Sequence, residues 1–223
     1  MMKLQIRKHE KPHDDYHVFE CAYDRKMFWT PGVHGIFSIP GLEIEGSNTR
    51  YFSIASIHDE NTIKFATRIP EDCSQFKKHL AQLKEGDEID MEGPYGEFNF
   101  QDDSTPVIMI AGGVGITPVR ALFKELEKGN DRIVKLIYST GGQHLFKDEL
   151  SAVAAANDKI GIDFVGGREE LAAKLEEYAD EMKNEAYYFI SGPPGMVRTV
   201  MNLLEDRYIN EGRIIAESFI GYE

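Results

Sequence analysis

The chain has 223 residues, 42% of them hydrophobic and 28% charged, and a net charge of −13. That length supports one large domain or two ordinary ones, each with a real core. No apolar run approaches the ~20 residues that cross a bilayer, and the acidic balance argues against a nucleic-acid partner.

Two cysteines, Cys21 and Cys73, are too few for a four-thiolate iron–sulfur cluster and fit no zinc pattern, so no metal site is expected. The opening MMKLQIRKHEKPHDD is charged and lacks the apolar region of a signal peptide. Cytoplasmic residence is the expectation.

Taken in chain order, residues 3–7 and 16–23 alternate or run apolar over strand length. The turn signal Thr30-Pro31-Gly32 precedes GVHGIFSIPG, then RYFSIAS (50–56), the polar turn HDEN and NTIKFATRI (61–69). SQFKKHLAQL reads as a helix with Ser74 as N-cap and Phe76, Leu80 and Leu83 on one face. Residues 86–100 read as a further strand and a glycine-punctuated loop. Short strands parted by turns predict an antiparallel Greek-key β-barrel over 1–102.

After the polar break QDDSTP, strands alternate with helices. VIMIA precedes PVRALFKELEKG, IVKLIYST precedes FKDELSAVAAAN, IGIDFVG precedes EELAAKLEEYADEM, and YYFISG precedes GMVRTVMNLLEDRYINEG. A last strand, RIIAE, follows. This is the pattern of an α/β doubly wound parallel sheet over 103–223. Ligands of such sheets lie beyond the strands' carboxyl ends, where GGVGITP, STGGQHLF and SGPPGM fall.

GGVGITP combines glycines that let backbone approach a ligand with a helix start that offers N–H groups to an anion. Thr117 is expected as N-cap and Pro118 as first helical residue. Pro118 stands where a third fingerprint glycine would be, so the stretch departs from G-x-G-x-x-G. In RYFSIAS an arginine suits a phosphate, an aromatic suits a flat ring and a serine hydroxyl suits a ring nitrogen.

RYFSIAS, CSQF, GPYGEF, GGVGITP, SGPPGM and AESFIGYE occur in one order that resembles the ferredoxin–NADP reductase superfamily of two-domain flavoprotein reductases. The resemblance implies a bound FAD in the barrel and NADPH or NADH as substrate of the α/β domain. Arg50 matches the arginine of the flavin diphosphate, within a motif that includes Tyr51. Phe52 matches the aromatic, usually tyrosine, that stacks on the isoalloxazine, and Ser53 the hydroxyl near flavin N5. Cys73 and Ser74 match the turn that holds the pyrophosphate, although Glu71 stands where many relatives have glycine. Ala66 and Thr67 fall where relatives contact FAD along a strand.

In the second half Gly112, Gly113, Gly115 and Thr117 match the pyridine-nucleotide pyrophosphate loop. Gly192 and Pro193 match the nicotinamide-side loop, with Ser191 where relatives often carry cysteine. Glu217 matches an acid near nicotinamide and flavin, and Tyr222 a terminal aromatic over the flavin. No acid follows the second strand until Asp148. Ser139 and Thr140 tolerate a 2′-phosphate and Arg168 is placed to pair with one, which leans toward NADPH and leaves NADH open.

The remaining chemistry-bearing residues read as structural. His34 and His58 lack ligand spacing, Lys77 and Lys78 form a solvated helix face, and so do the carboxylates at 169–181. The aromatics of EFNF and YYF are core residues, and Tyr95 either flanks the cofactor or packs its loop.

The implied activity is hydride transfer from NAD(P)H to FAD N5, with electrons passed to an unidentified redox protein or small molecule. Alternatives are an electron-transfer subunit active only when docked and a non-catalytic flavin-binding module. FMN in place of FAD also stays open.

Overall fold

The structure is a computed structural model that describes residues 1–13, 15–24 and 27–218. The chain divides into two compact units, Met1–Asn99 and Phe100–Glu223. Tyr222 lies outside the described residues.

The first unit holds strands β1 (Met2–Glu10), β2 (Tyr16–Ala22), β3 (His34–Ser38), β4 (Thr49–Ser53) and β5 (Ile63–Arg68), helix α1 (Gln75–Leu80) and strand β6 (Glu88–Tyr95). They form one antiparallel six-stranded sheet in the order β4-β3-β6-β1-β2-β5. Its inner face is apolar, with Leu4, Ile6, Phe19, Phe37, Phe65, Ile89 and Met91 all at or near zero exposure.

The sheet's two edge strands meet just past β4. Ala55 N donates to Lys64 O at 2.7 Å, Ser56 Oγ donates to Thr62 O at 2.7 Å, and Lys64 N donates to Ser56 Oγ at 2.9 Å. These bonds close the barrel at one end, because an edge strand's main chain needs partners once it is buried.

Helix α1 packs on this core through Phe76 and Leu80, both fully buried. Ser74 caps it as expected, its Oγ accepting from Lys77 N at 3.4 Å. The helix is shorter than the apolar spacing predicts. It ends at Leu80, and Leu83 follows in a turn whose N–H bonds Leu80 O at 3.2 Å, still packed against the core.

The second unit alternates strand and helix: β7 (Val107–Gly112), α2 (Ile116–Leu126), β8 (Val134–Ser139), α3 (Lys147–Ala155), β9 (Ile160–Val165), α4 (Arg168–Met182), β10 (Tyr187–Gly192), α5 (Pro194–Asp206) and β11 (Ile214–Ser218). All five strands are parallel, in the order β11-β10-β7-β8-β9. Every residue of β7 is buried, as a central parallel strand covered on both faces requires. The order reverses between β7 and β10, and in open α/β sheets that switch point is where a crevice opens.

Candidate functional site

The carboxyl ends of β7 and β10 deliver two turns to one place. Ser191 on β10 is in register with Ala111 on one side and Glu217 on the other. The β7 turn continues as a 3-10 turn, Gly113–Gly115, which runs directly into α2, and the β10 turn passes through Pro193 into α5. Two helix N-termini therefore start from adjacent strand ends. Their unpaired first-turn N–H groups and aligned dipoles favour an anion there.

Contact between the turns requires glycine at Gly115 and leaves little room at Gly112. A Cβ on Gly115 would stand 2.1 Å from Ser191 O, and one on Gly112 would stand 2.3 Å from Met196 Sδ. Tyr138, fully buried on β8, holds the same turn by donating its hydroxyl to Gly113 O at 3.1 Å while accepting from Leu145 N at 3.1 Å. Sequence reasoning passed over both Met196 and Tyr138. The only trace of Met196 is its place four residues past Gly192, where a helix returns its side chain to the strand end.

Thr117 and Pro118 are corrected. The helix begins at Ile116 with Gly115 as N-cap, so Thr117 is its second residue and Pro118 its third. Thr117 instead donates its hydroxyl back to Val114 O at 2.8 Å. Pro118 is tolerated because a first-turn N–H has no partner within the helix.

Ser191 is fully buried, and its Oγ has no hydrogen-bond partner among the described residues. A hydroxyl in that state costs free energy unless a ligand or water satisfies it.

Thr140 follows β8, its N–H bonded to Val165 O at 3.2 Å, so the ends of β8 and β9 are tied together. Arg168 is the exposed first residue of α4. The Glu170 carboxylate accepts from Gly166 N at 2.8 Å.

In the first unit Arg50, Tyr51, Phe52 and Ser53 lie on β4 and Ala66 and Thr67 on β5. Arg50 is half-buried, its guanidinium 5.2 Å from the Phe76 ring centroid and its Nη1 donating to Ser47 O at 2.9 Å and Thr49 O at 2.6 Å. Cys73 and Ser74 directly precede α1, Ser74 as its N-cap. Ser53, Ala66 and Thr67 are buried.

Phe52 is placed differently from the expectation of a ring offered to a ligand. It is 4% exposed and stacks on Phe65 at 5.0 Å, inside the barrel core. The exposed ring of the motif is Tyr51, at 65%, on the other side of the strand and beside His34 at 5.8 Å. Strand alternation puts one of two successive aromatics inward, and the inner position here is already an aromatic cluster.

Lys77 also departs from the expected solvated face. It is 8% exposed while Lys78 lies open to solvent. The pKa of Lys77 is lowered to about 8, chiefly by burial and also by the charge of Arg50, with Cys73 opposing. Of the aromatics expected in the core, Phe98, Tyr188 and Phe189 are buried, Phe100 and Tyr187 are only half-buried, and Tyr95 is 43% exposed.

An antiparallel six-stranded sheet followed by a doubly wound parallel sheet with two helix N-termini at its switch point defines a two-domain, dinucleotide-binding fold class. Residues 109–202 match the family described as "Oxidoreductase NAD-binding domain". That match lies within the parallel-sheet unit, and the fold of the chain is that of ferredoxin–NADP+ reductases.

It is 25% identical over 206 residues to the toluate 1,2-dioxygenase electron transfer component of Pseudomonas putida, covering 87% of this chain and 60% of that protein. The chain thus spans less than two thirds of that relative's length. Among solved structures it is similar to ferredoxin–NADP+ reductase from Plasmodium falciparum, with a TM-score of 0.83 at 20% identity, covering 98% of this chain and 96% of the other. It is also similar to a ferredoxin NADP+ reductase from Neisseria gonorrhoeae determined with bound FAD and NADP, with a TM-score of 0.79 at 19% identity and 98% of each chain covered.

Proposed function

We propose that this protein is an FAD-dependent NAD(P)H oxidoreductase that passes electrons to a separate redox protein or a small-molecule acceptor. Residues 1–102 hold FAD and residues 103–223 receive NADPH or NADH. The observation that carries the reading is the convergence of the α2 and α5 N-termini at the switch point, beside the buried Ser191 hydroxyl that has no partner among the described residues. That combination fits a nucleotide pyrophosphate with a polar ring held close to it.

A bound flavin would supply the ability to accept hydride from NAD(P)H and release its electrons singly. The chain's residues bind and orient. Gly112, Gly113, Gly115 and Thr117 shape the pyrophosphate turn, and Gly192 and Pro193 bound the nicotinamide side. Ser191 and Glu217, neighbours in register, present a hydroxyl and a carboxylate there.

Arg50, Cys73 and Ser74 hold the flavin diphosphate, Ser53 hydrogen-bonds N5, and Ala66 and Thr67 line the strand beside it. Of the aromatics in RYFS, Tyr51 has the ring exposed for a flat ligand. The protein acts in the cytoplasm. Among the described residues no helix is long and apolar enough to cross a membrane.

The named relative, an electron transfer component of a dioxygenase, favours a second reading in which turnover needs a docked partner. The test of the main reading is anaerobic stopped-flow of the purified protein with NADH and NADPH, after identification of the extracted flavin. Flavin bleaching on mixing is expected. An FAD-loaded protein that neither nucleotide bleaches is not this enzyme.

A further inference from the structure

Met196 occupies the junction of the two turns at the switch point. It is the third residue of α5, and a helix side chain leans back toward the N-terminus, here over the strand end that precedes it. A Cβ on Gly112 would meet the Met196 Sδ at 2.3 Å and its Cε at 3.1 Å, and a Cβ on Gly192 would meet the Cε at 2.8 Å. One thioether thus fills the space that side chains would need at the ends of both β7 and β10. Met196 packs against the core of the parallel-sheet unit and is half-buried, so part of its side chain stays open at the crevice.

The start of α5 differs from an ordinary anion site. Pro193 and Pro194 have no N–H, and the N–H of Met196 donates to Pro193 O at 2.9 Å. Of Pro194, Gly195 and Met196, that leaves Gly195 with an amide to offer. The side chains at this helix start are apolar and half-buried: Pro193, Pro194 and Met196. Two residues before Pro193 lies Ser191, fully buried, its hydroxyl without a partner among the described residues.

An anion gains little from apolar side chains and one amide. A flat ring with a polar substituent fits them. Its face meets the thioether and the prolines, and its substituent accepts from the buried hydroxyl. The nicotinamide of NAD(P)H, a planar ring bearing a carboxamide, is such a group.

We propose that Met196 is the residue on which the nicotinamide ring rests, its thioether against the ring face, so that it sets the ring's position at the strand ends. This rests on the NAD(P)H reading above and names a residue which that reading does not include. The pyrophosphate falls to the turn Gly113–Gly115 and the start of α2.

The experiment compares NADP+ and NAD+ with 2′-phospho-ADP-ribose and ADP-ribose, the same molecules without nicotinamide. Binding to the purified protein is measured by calorimetry, and flavin reduction by NADPH and NADH is followed by anaerobic stopped-flow. Met196→Ala should bind the two nucleotides about two- to tenfold more weakly, the worth of one thioether–ring contact, and bind the ring-less analogues as wild type does. Its flavin reduction at saturating nucleotide should slow about tenfold or more, because a displaced ring is poorly aligned. Met196→Leu, which keeps volume and apolar surface, should restore most of both.

If Met196 only packs the turns together, Met196→Ala weakens the ring-less analogues as much as the nucleotides, and that result overturns the proposal. Wild-type binding and reduction by Met196→Ala overturn it as well. Should that variant not fold, Met196→Gln, of similar shape but polar, is held to the same two criteria. Wild-type protein that binds neither the nucleotides nor the analogues sinks the NAD(P)H reading itself. Wild-type binding with an indifferent Met196 sinks only this inference.

Discussion

A methyl group on Gly115 would stand 2.1 Å from the carbonyl oxygen of Ser191, so the turns after β7 and β10 touch through bare backbone. The contact fixes the distance between the N-termini of α2 and α5. Gly115 itself has φ −59°, a conformation open to any residue, so only packing demands glycine here. Gly115→Ala should therefore force the turns apart at a cost of about 1–3 kcal/mol. NAD(P)H-dependent flavin bleaching should slow sharply while flavin content is kept, which stopped-flow and the flavin absorbance of the purified variant report together. Wild-type rates would mean that the turns give way without consequence.

Ser53 is buried at the end of β4, and its proposed role is a hydrogen bond to flavin N5. Ser53→Ala should bind FAD normally and be reduced more slowly by roughly a hundredfold or more, the loss seen when a single preorganised donor is removed. Unchanged reduction kinetics remove Ser53 from that role.

Arg168 tests the choice of nucleotide. It is exposed at the start of α4, next to an end of β9 that already carries the Glu170 carboxylate. If Arg168 pairs with a 2′-phosphate, Arg168→Ala should raise KM for NADPH about tenfold and leave KM for NADH alone. Equal effects on the two nucleotides, or none, make Arg168 a surface residue.

His17 sets an acid limit on stability. It is 8% exposed on β2, its Nδ1 lies 2.8 Å from Nε2 of His9, and the His9 Nδ1 meets Leu83 O at 2.9 Å. Burial first, then His9 and Lys11, lower the His17 pKa to about 4, with Asp15 opposing. Unfolded, the same imidazole titrates near ~6.5. Between these values the unfolded chain binds more protons than the folded one, so stability is full above about pH 6.5 and falls as pH drops toward 4. Thermal midpoints measured across that range should decline, and His17→Gln should flatten the decline. An equally steep decline in the variant would assign it to other groups.

Much of the fold was legible because it depends on periodicity. Apolar runs such as VIMIA and YYFIS, parted by helical spacing, specify buried parallel strands wherever the chain later puts them. The N-cap at Ser74 was readable for a related reason, since capping depends on residues three apart in sequence. The glycine turn was found but its start was misread. Nothing local in GGVGITP says that a 3-10 turn at Gly113–Gly115 will run straight into the helix.

What the sequence determined by itself was the order and type of the elements and the polar residues placed at strand ends. Which side chains face inward among equals was decided only by tertiary structure. Tyr51 and Phe52 are both aromatic strand residues, and the barrel core chose Phe52 because Phe37, Phe65 and Phe76 already surround its position. Lys77 and Lys78 are identical in kind, and one is buried because it lies on the side of α1 that packs on the core with Phe76 and Leu80. Gly115 of GGVGITP is required by a neighbouring turn some eighty residues away in sequence, where the Ser191 carbonyl oxygen occupies the place a side chain would need.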